Sequence, residues 1–387
     1  MADLTTPELL TRYSDVVVRG GLNLQPGQTL VVRALVEHAG LVRAITDDAY
    51  AAGAGLVDVE YQDDHVRRSG ILHGAGQALA AGTARDRAAT ERLEEPGLAF
   101  LRITGNPDPH LMDDVDVASV VAANPVELAA RERAAVMAGG LQWCIVAAPN
   151  PGWASAVFGE PDVERPWQAV GTAVGLDSDD PVGDWSAHTA RLRRRAAAVE
   201  ALDLTAVRYA GPGTDLEIGL VPEWRWLAAT MQTSEGVEFS PNIPTEGVFT
   251  SPDRTRADGT IATTRPFLLL PSGVLVEGLT LTFEGGRIVD ARADRGRGAV
   301  HAQLDSDPNA RRLGEVALVE GGSRVRRAGV LFHDMLHDEN AGSHIAGGQG
   351  FPWSCRTATR RAGCTASPRC TRTSSAAAPG SRSRARP

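Results

Sequence analysis

The chain is 387 residues long, 43% apolar and 22% charged, the balance of a globular protein with length for two or three domains. All 48 acidic side chains and 31 of the 39 basic ones lie in 1–350, a net charge of −17 there (31 against 48), which argues against nucleic acid or an anionic membrane as partner of this body. Residues 351–387 reverse the balance with eight Arg and no acid, and the complete absence of Lys beside 41 Gly indicates GC-rich codons.

Met1–Thr5 carries neither a basic segment nor an apolar core, so the expectation is a cytoplasmic protein without a secretory signal. Thr29–Arg33 reads as a strand after the Pro26-Gly27 turn, Leu41–Ala52 has helical spacing, and Leu56–Val59 reads as the next strand, together a βαβ unit. The Gly74-Ala75-Gly76 stretch is not a dinucleotide fingerprint, because Leu79 holds the third glycine position and no strand precedes it; it reads as a loop or a helix start. Leu98–Ile103 and Trp143–Ala147 repeat the buried-strand pattern with a helical stretch at Pro125–Met137 between them, which predicts an α/β layered domain. Cys144 sits in the second of these apolar runs, so no disulfide framework is expected.

Ser186–Leu202 is the strongest helix candidate. From Thr205 the texture changes to short strands between Gly turns: Asp215–Ile218, Leu279–Phe283, the turn Glu284–Arg287, then Ile288-Val289. The fold class expected is α/β, an N-terminal α/β layered domain (1–200) followed by a strand-rich α+β domain with a metal site (201–350) and a tail (351–387). Phe267–Val276, the most apolar stretch, is broken by Pro271 and Gly273 and is far too short to span a bilayer.

Three segments of the second domain place ligand-type residues in unusual local sequence. Ser240–Thr250 is an extended, Pro-pinned stretch that carries Glu246 from a loop into a strand. In Ala310–Val319, Glu315 opens an apolar strand; in Asp338–Ala346, an Asp-Glu-Asn cluster precedes His344. A single Glu or His is more often solvated or a satisfied polar residue, but carboxylates and imidazoles offered by different strands are what a hydrolytic zinc or cobalt site requires. His333, Asp334 and His337 lie close by; the His333–His337 spacing of four is useful only on a helix, whereas Gly329–Phe332 reads as a strand, so they are expected to be supporting or surface residues.

These segments resemble the thermophilic-type metalloaminopeptidases of the M29 class. The resemblance runs from about Tyr13 to Gly350 and rests on Val18–Gln28, Ala51–Gly55, Gly213–Leu216, Asn242–Thr245, Arg311–Ala317, Asp338–Ala341 and His344–Ala346. It implies a homodimeric, two-domain exopeptidase with two divalent metal ions, zinc or cobalt, in the C-terminal domain, acting on peptides. Glu315 and His344 stand where the family places a metal-ligating Glu and His. Two bridged ions would acidify a water for attack on the peptide carbonyl, and a free α-amine of the substrate binding one ion would explain release of single N-terminal residues.

The chain also departs from the family pattern. Gly247 stands where the family has an acidic residue, and in an extended strand its neighbour Glu246 points to the other face, so Glu246 serves as a ligand only if the backbone shifts locally. Phe351 stands where the family tends to have Tyr. The family's closing His-x-Asp pair is missing, since no His follows His344 and no Asp follows Asp338. With GC-rich codons, Arg369–Ser374 read one nucleotide early becomes Val-His-Ala-Asp-Phe, which points to a nucleotide lost near codons 351–352. The rival readings of the tail are a disordered Arg/Ser/Ala extension and an RNA-binding arm. The rival reading of the whole is a catalytically impaired homologue that has lost metal ligands and folds or binds peptides without hydrolysis, with a sheet edge left short of its closing strands.

Overall fold

The computed structural model describes residues 4–105, 108, 110–222, 224–270, 272–351, 354 and 384–386. Most of the tail lies outside the described residues, and with it Cys355, Cys364, Cys370 and the frame-change reading. The chain forms two compact units that alternate along the sequence, one of 1–189, 229–245 and 327–330, the other of 190–228, 246–326 and 331–387.

In chain order the first unit contributes β1 (Thr29–Leu35), β2 (Leu56–Gln62), β3 (Leu98–Thr104) and β4 (Gln142–Ala147). The second follows with β5 (Ala206–Gly211) and β6 (Thr214–Leu220), and the first returns with β7 (Met231–Gln232), β8 (Glu238–Phe239) and β9 (Asn242–Ile243). The remaining strands belong to the second unit: β10 (Gly247–Thr250), β11 (Pro252–Ala262), β12 (Phe267–Leu269), β13 (Val274–Val276), β14 (Thr280–Glu284), β15 (Arg287–Arg292), β16 (Leu313–Val319), β17 (His344–Gly347) and β18 (Arg384–Arg386).

The first unit is built on a five-stranded parallel sheet in the order β2-β1-β3-β4-β9. Parallel strands covered on both faces need near-continuous apolar runs, which is why Leu30 to Ala34 are buried along the whole of β1. Arg33 is the polar exception in that run. It sits on one rung with Glu60 of β2 and Arg102 of β3, and its Nε and Nη1 donate to Glu60 at 2.8 Å and to Glu132 at 2.6 Å. Glu132 comes from the helix Val126–Met137 and also pairs with Arg102. Both guanidinium groups lie over the Phe100 ring, 5.1 and 5.8 Å from its centroid.

The expected helices form at Ala39–Ala51, Val126–Met137 and Pro181–Glu200. The last starts five residues earlier than its Ala/Arg-rich stretch, at Pro181. A helix also opens at Gly76, so Gly74-Ala75-Gly76 is a helix start. An additional helix, Thr6–Asp15, begins with a capping box in which Thr5 and Glu8 satisfy each other's backbone N–H groups. The T-x-x-E spacing was its signal in the sequence.

The second unit is strand-rich and antiparallel. Six strands order as β15-β14-β11-β6-β5-β18, three as β10-β16-β17, and β12 pairs β13. The turn Glu284–Arg287 joins β14 to β15, and it needs Gly286: its φ is +75°, and a Cβ there would lie 2.1 Å from the Arg254 carbonyl oxygen. In the six-stranded sheet β18 pairs antiparallel with β5, Arg384 opposite Arg208. Gly329–Phe332 is not a strand; it leads into the short helix Met335–Glu339, on which His337 is fully buried. Among the described residues no helix is long and apolar enough to cross a membrane.

Candidate metal centre

The candidate site lies on the three-stranded sheet, and strand register decides who shares its face. β16 and β17 pair antiparallel with Glu315 opposite Ala346 and Ala317 opposite His344; β10 and β16 pair with Phe249 opposite Ala317 and Gly247 opposite Val319. Paired residues point to one side, and alternation carries that side along each strand. One face therefore carries Gly247, Phe249, Glu315, Ala317, His344 and Ala346. The other carries Val248, Val316 and Ile345, all buried in the core. Glu315 is placed by a bulge: between Leu313 and Glu315 the register slips, leaving Gly314 as the extra residue. Only glycine fits there, since a Cβ would lie 2.5 Å from the Gln349 carbonyl oxygen.

Glu315 and His344 are diagonal neighbours on this face, with His344 Nε2 3.8 Å from Glu315 Oε1 and both side chains about nine-tenths buried. That separation is an ion pair and longer than a hydrogen bond. His344 Nδ1 lies 3.1 Å from the Gly342 carbonyl oxygen, an acceptor only, so Nδ1–H donates and Nε2 is the nitrogen turned toward Glu315. Burial by itself pushes the His344 pKa down, but its contact with Glu315, the charges of Glu339 and Glu315, and the Gly342 carbonyl raise it to about 9. Beneath the pair, the buried Tyr209 of β5 donates its hydroxyl to the Ala317 carbonyl at 3.0 Å. Burial, and then the Glu315 charge, push the phenol well above its ordinary pKa.

Glu246 is buried but precedes β10, and Gly247, opposite Val319, takes the β10 position on the side of the sheet that carries Glu315 and His344. The structure therefore does not gather Glu246 with the pair: among the described residues no three His, Cys, Asp or Glu side chains come together in a metal-binding group. Phe351 packs edge-on against Phe249 of the site face, ring centroids 5.1 Å apart. It brings bulk to this wall where a Tyr would also bring a hydroxyl.

The Asp-Glu-Asn cluster divides its labour. The Asp338 carboxylate accepts from the backbone N–H groups of Phe332 at 2.8 Å and Asp334 at 3.2 Å, closing the turn before the short helix. Burial outweighs those hydrogen bonds and raises its pKa to about 7. Asp334 caps the helix and holds His337 Nδ1 at 3.0 Å, while His337 stacks on Phe332. His337 is in the core, not at the surface. Glu339 contributes charge at His344. Sequence reasoning named Asn340 within the cluster without giving it a role of its own and did not single out Gly314 or Tyr209, because a β-bulge and a hydroxyl reaching a distant strand leave no local signal.

Glu315 and His344 would offer a divalent ion one oxygen and one nitrogen donor, the ligand types of hydrolytic metal sites. A pair of ions needs more protein ligands than the described residues bring together.

The family profile described as "Thermophilic metalloprotease (M29)" matches residues 6–366. Among curated proteins, "Aminopeptidase 2" of Geobacillus stearothermophilus is 37% identical over 349 residues, covering 89% of this chain and 84% of that protein. "Aminopeptidase T" of Thermus aquaticus is 38% identical over 356 residues, 89% of this chain and 85% of that protein. Among solved structures, wild-type AmpT from Thermus thermophilus superposes with a TM-score of 0.85 at 32% identity, covering 95% of this chain and 92% of that one.

Proposed function

The chain belongs to the thermophilic metalloprotease (M29) family, and on that premise we propose that it is a metal-dependent aminopeptidase that releases N-terminal residues from peptides. The observation that carries the reading is the buried pair of Glu315 and His344, a mixed oxygen and nitrogen donor set on neighbouring strands. These two residues would hold a zinc or cobalt ion, which when bound supplies an acidified water and Lewis-acid stabilisation of the developing oxyanion. The Gly342 carbonyl keeps Nε2 of His344 turned toward that ion by fixing Nδ1 as the proton carrier. Phe249 and Phe351 form an apolar wall at the same face, suited to a substrate side chain and to keeping bulk water out. A homodimer is the assembly the family resemblance implies.

The test is hydrolysis of an unblocked dipeptide and of its N-acetylated form, with added zinc or cobalt and with a chelator. Release from the free amine alone, abolished by chelation, is the expected result. Equal cleavage of the blocked peptide would overturn the exopeptidase reading. Absence of turnover with metal supplied would leave a homologue that has lost catalysis.

A further inference from the structure

We propose that Asn340 is a positioning residue for the proposed hydrolysis, tethering the start of β10 to the turn that presents His344; the inference rests on the aminopeptidase reading. Its carboxamide works at both ends. Oδ1 accepts from the Glu246 backbone N–H at 2.7 Å, and Nδ2 donates to the Leu336 carbonyl at 2.7 Å. Asn340 is 5% exposed, so water does not compete for either bond. A neutral group that accepts from one backbone and donates to another is what an amide provides and an apolar side chain cannot.

The place of this tether in the sheet gives it a role beyond local stability. β10 and β17 lie on either side of β16 and do not pair with each other. β10 starts opposite Val319 at the far end of β16, and β17 starts opposite Ala317. Asn340 lies four residues before His344 and reaches past the end of β16 to the residue before Gly247. Besides the pairing of both strands with β16 and the bond of Ser343 Oγ with the Val319 backbone, Asn340 is thus a direct tie at this end between the start of the strand that carries Phe249 and the turn before the strand that carries His344. Its own footing is firm, because Asp338 and Asp334 lock the turn and the short helix behind it. Buried amides are costly to leave unpaired, so the two bonds hold or fail together.

The experiment compares the full chain with Asn340→Ala and with Asn150→Ala, a control that removes a buried helix cap in the other unit. Amide exchange followed by mass spectrometry should show faster exchange at Glu246 and the first residues of β10 in Asn340→Ala only. With an unblocked dipeptide, kcat should fall about tenfold to a hundredfold while KM stays within about twofold, the signature of misplaced rather than missing groups. The control should lose thermal stability and keep its kcat. Unchanged exchange at Glu246 would overturn the tether, and faster exchange with undiminished kcat would reduce Asn340 to a structural residue. A wild-type protein without turnover overturns the aminopeptidase reading instead, and the exchange data then decide the tether on their own.

Discussion

Replacing Glu132 by Gln tests the charged rung inside the parallel-sheet unit. The exchange keeps shape and one accepting oxygen but removes the charge that Arg33 and Arg102 share. The Arg33 and Glu132 side chains are 10% and 23% exposed, so the pair is largely but not wholly out of water. Stripping one partner from a fully buried ion pair costs about 3–5 kcal/mol. Here Glu60 still holds Arg33 and the Gln oxygen still accepts, so the loss should be about 1–3 kcal/mol at pH 7. Burial acts to raise the Glu132 pKa, but the charges and hydrogen bonds of Arg102 and Arg33 override it and leave the folded value below the ordinary 4.5. A depressed carboxyl pKa stabilises the fold above its unfolded value, and that contribution disappears as pH falls through the folded value. Urea unfolding of both proteins between pH 7 and pH 3.5 should therefore show a gap that is constant down to about pH 4.5 and closes below it. A gap that persists unchanged into acid would mean that Glu132 acts through packing, and no gap at pH 7 would mean that desolvation cancels the pairing.

Gly247→Glu should place a third ligand on the face of Glu315 and His344. Without metal it should cost up to about 1 kcal/mol, because its Cβ meets Val319 Cγ2 at 3.1 Å; with zinc, the metal-dependent rise in melting temperature should exceed that of the parent, and an equal rise would refute the shared face. Tyr209→Phe should destabilise by about 1 kcal/mol in urea through loss of the hydroxyl bond to Ala317, and an unchanged midpoint would show that bond to be energetically idle. Burial pushes the Cys144 thiol far above its ordinary pKa, so peptide mapping after brief alkylation of the native protein should find Cys144 unmodified and find it labelled once urea unfolds the chain; fast native labelling would contradict its burial.

Chain-local patterns carried much of this protein. The apolar runs of β1, β3 and β4 and the helical spacing between them announce a parallel layered unit, because strands buried on both faces leave no alternative composition. The Gly-punctuated strands after Thr205 announce a strand-rich one, whose antiparallel pairing only the structure shows. The types of residue at the candidate site, Glu315 and His344, were legible because an acid at the head of an apolar strand and a His inside Gly-Ser-His-Ile are locally odd. What needed tertiary structure was every relation between strands. The slip at Gly314 that aims Glu315 and the pairing that hands the site face to Gly247, leaving Glu246 off it, depend on which residue of one strand lies opposite which of another. So does the reach of Asn340 past the end of β16. A one-residue change of register would turn each of these side chains to the opposite face, and register is set by contacts between segments up to about a hundred residues apart, whose energies no local stretch of sequence contains.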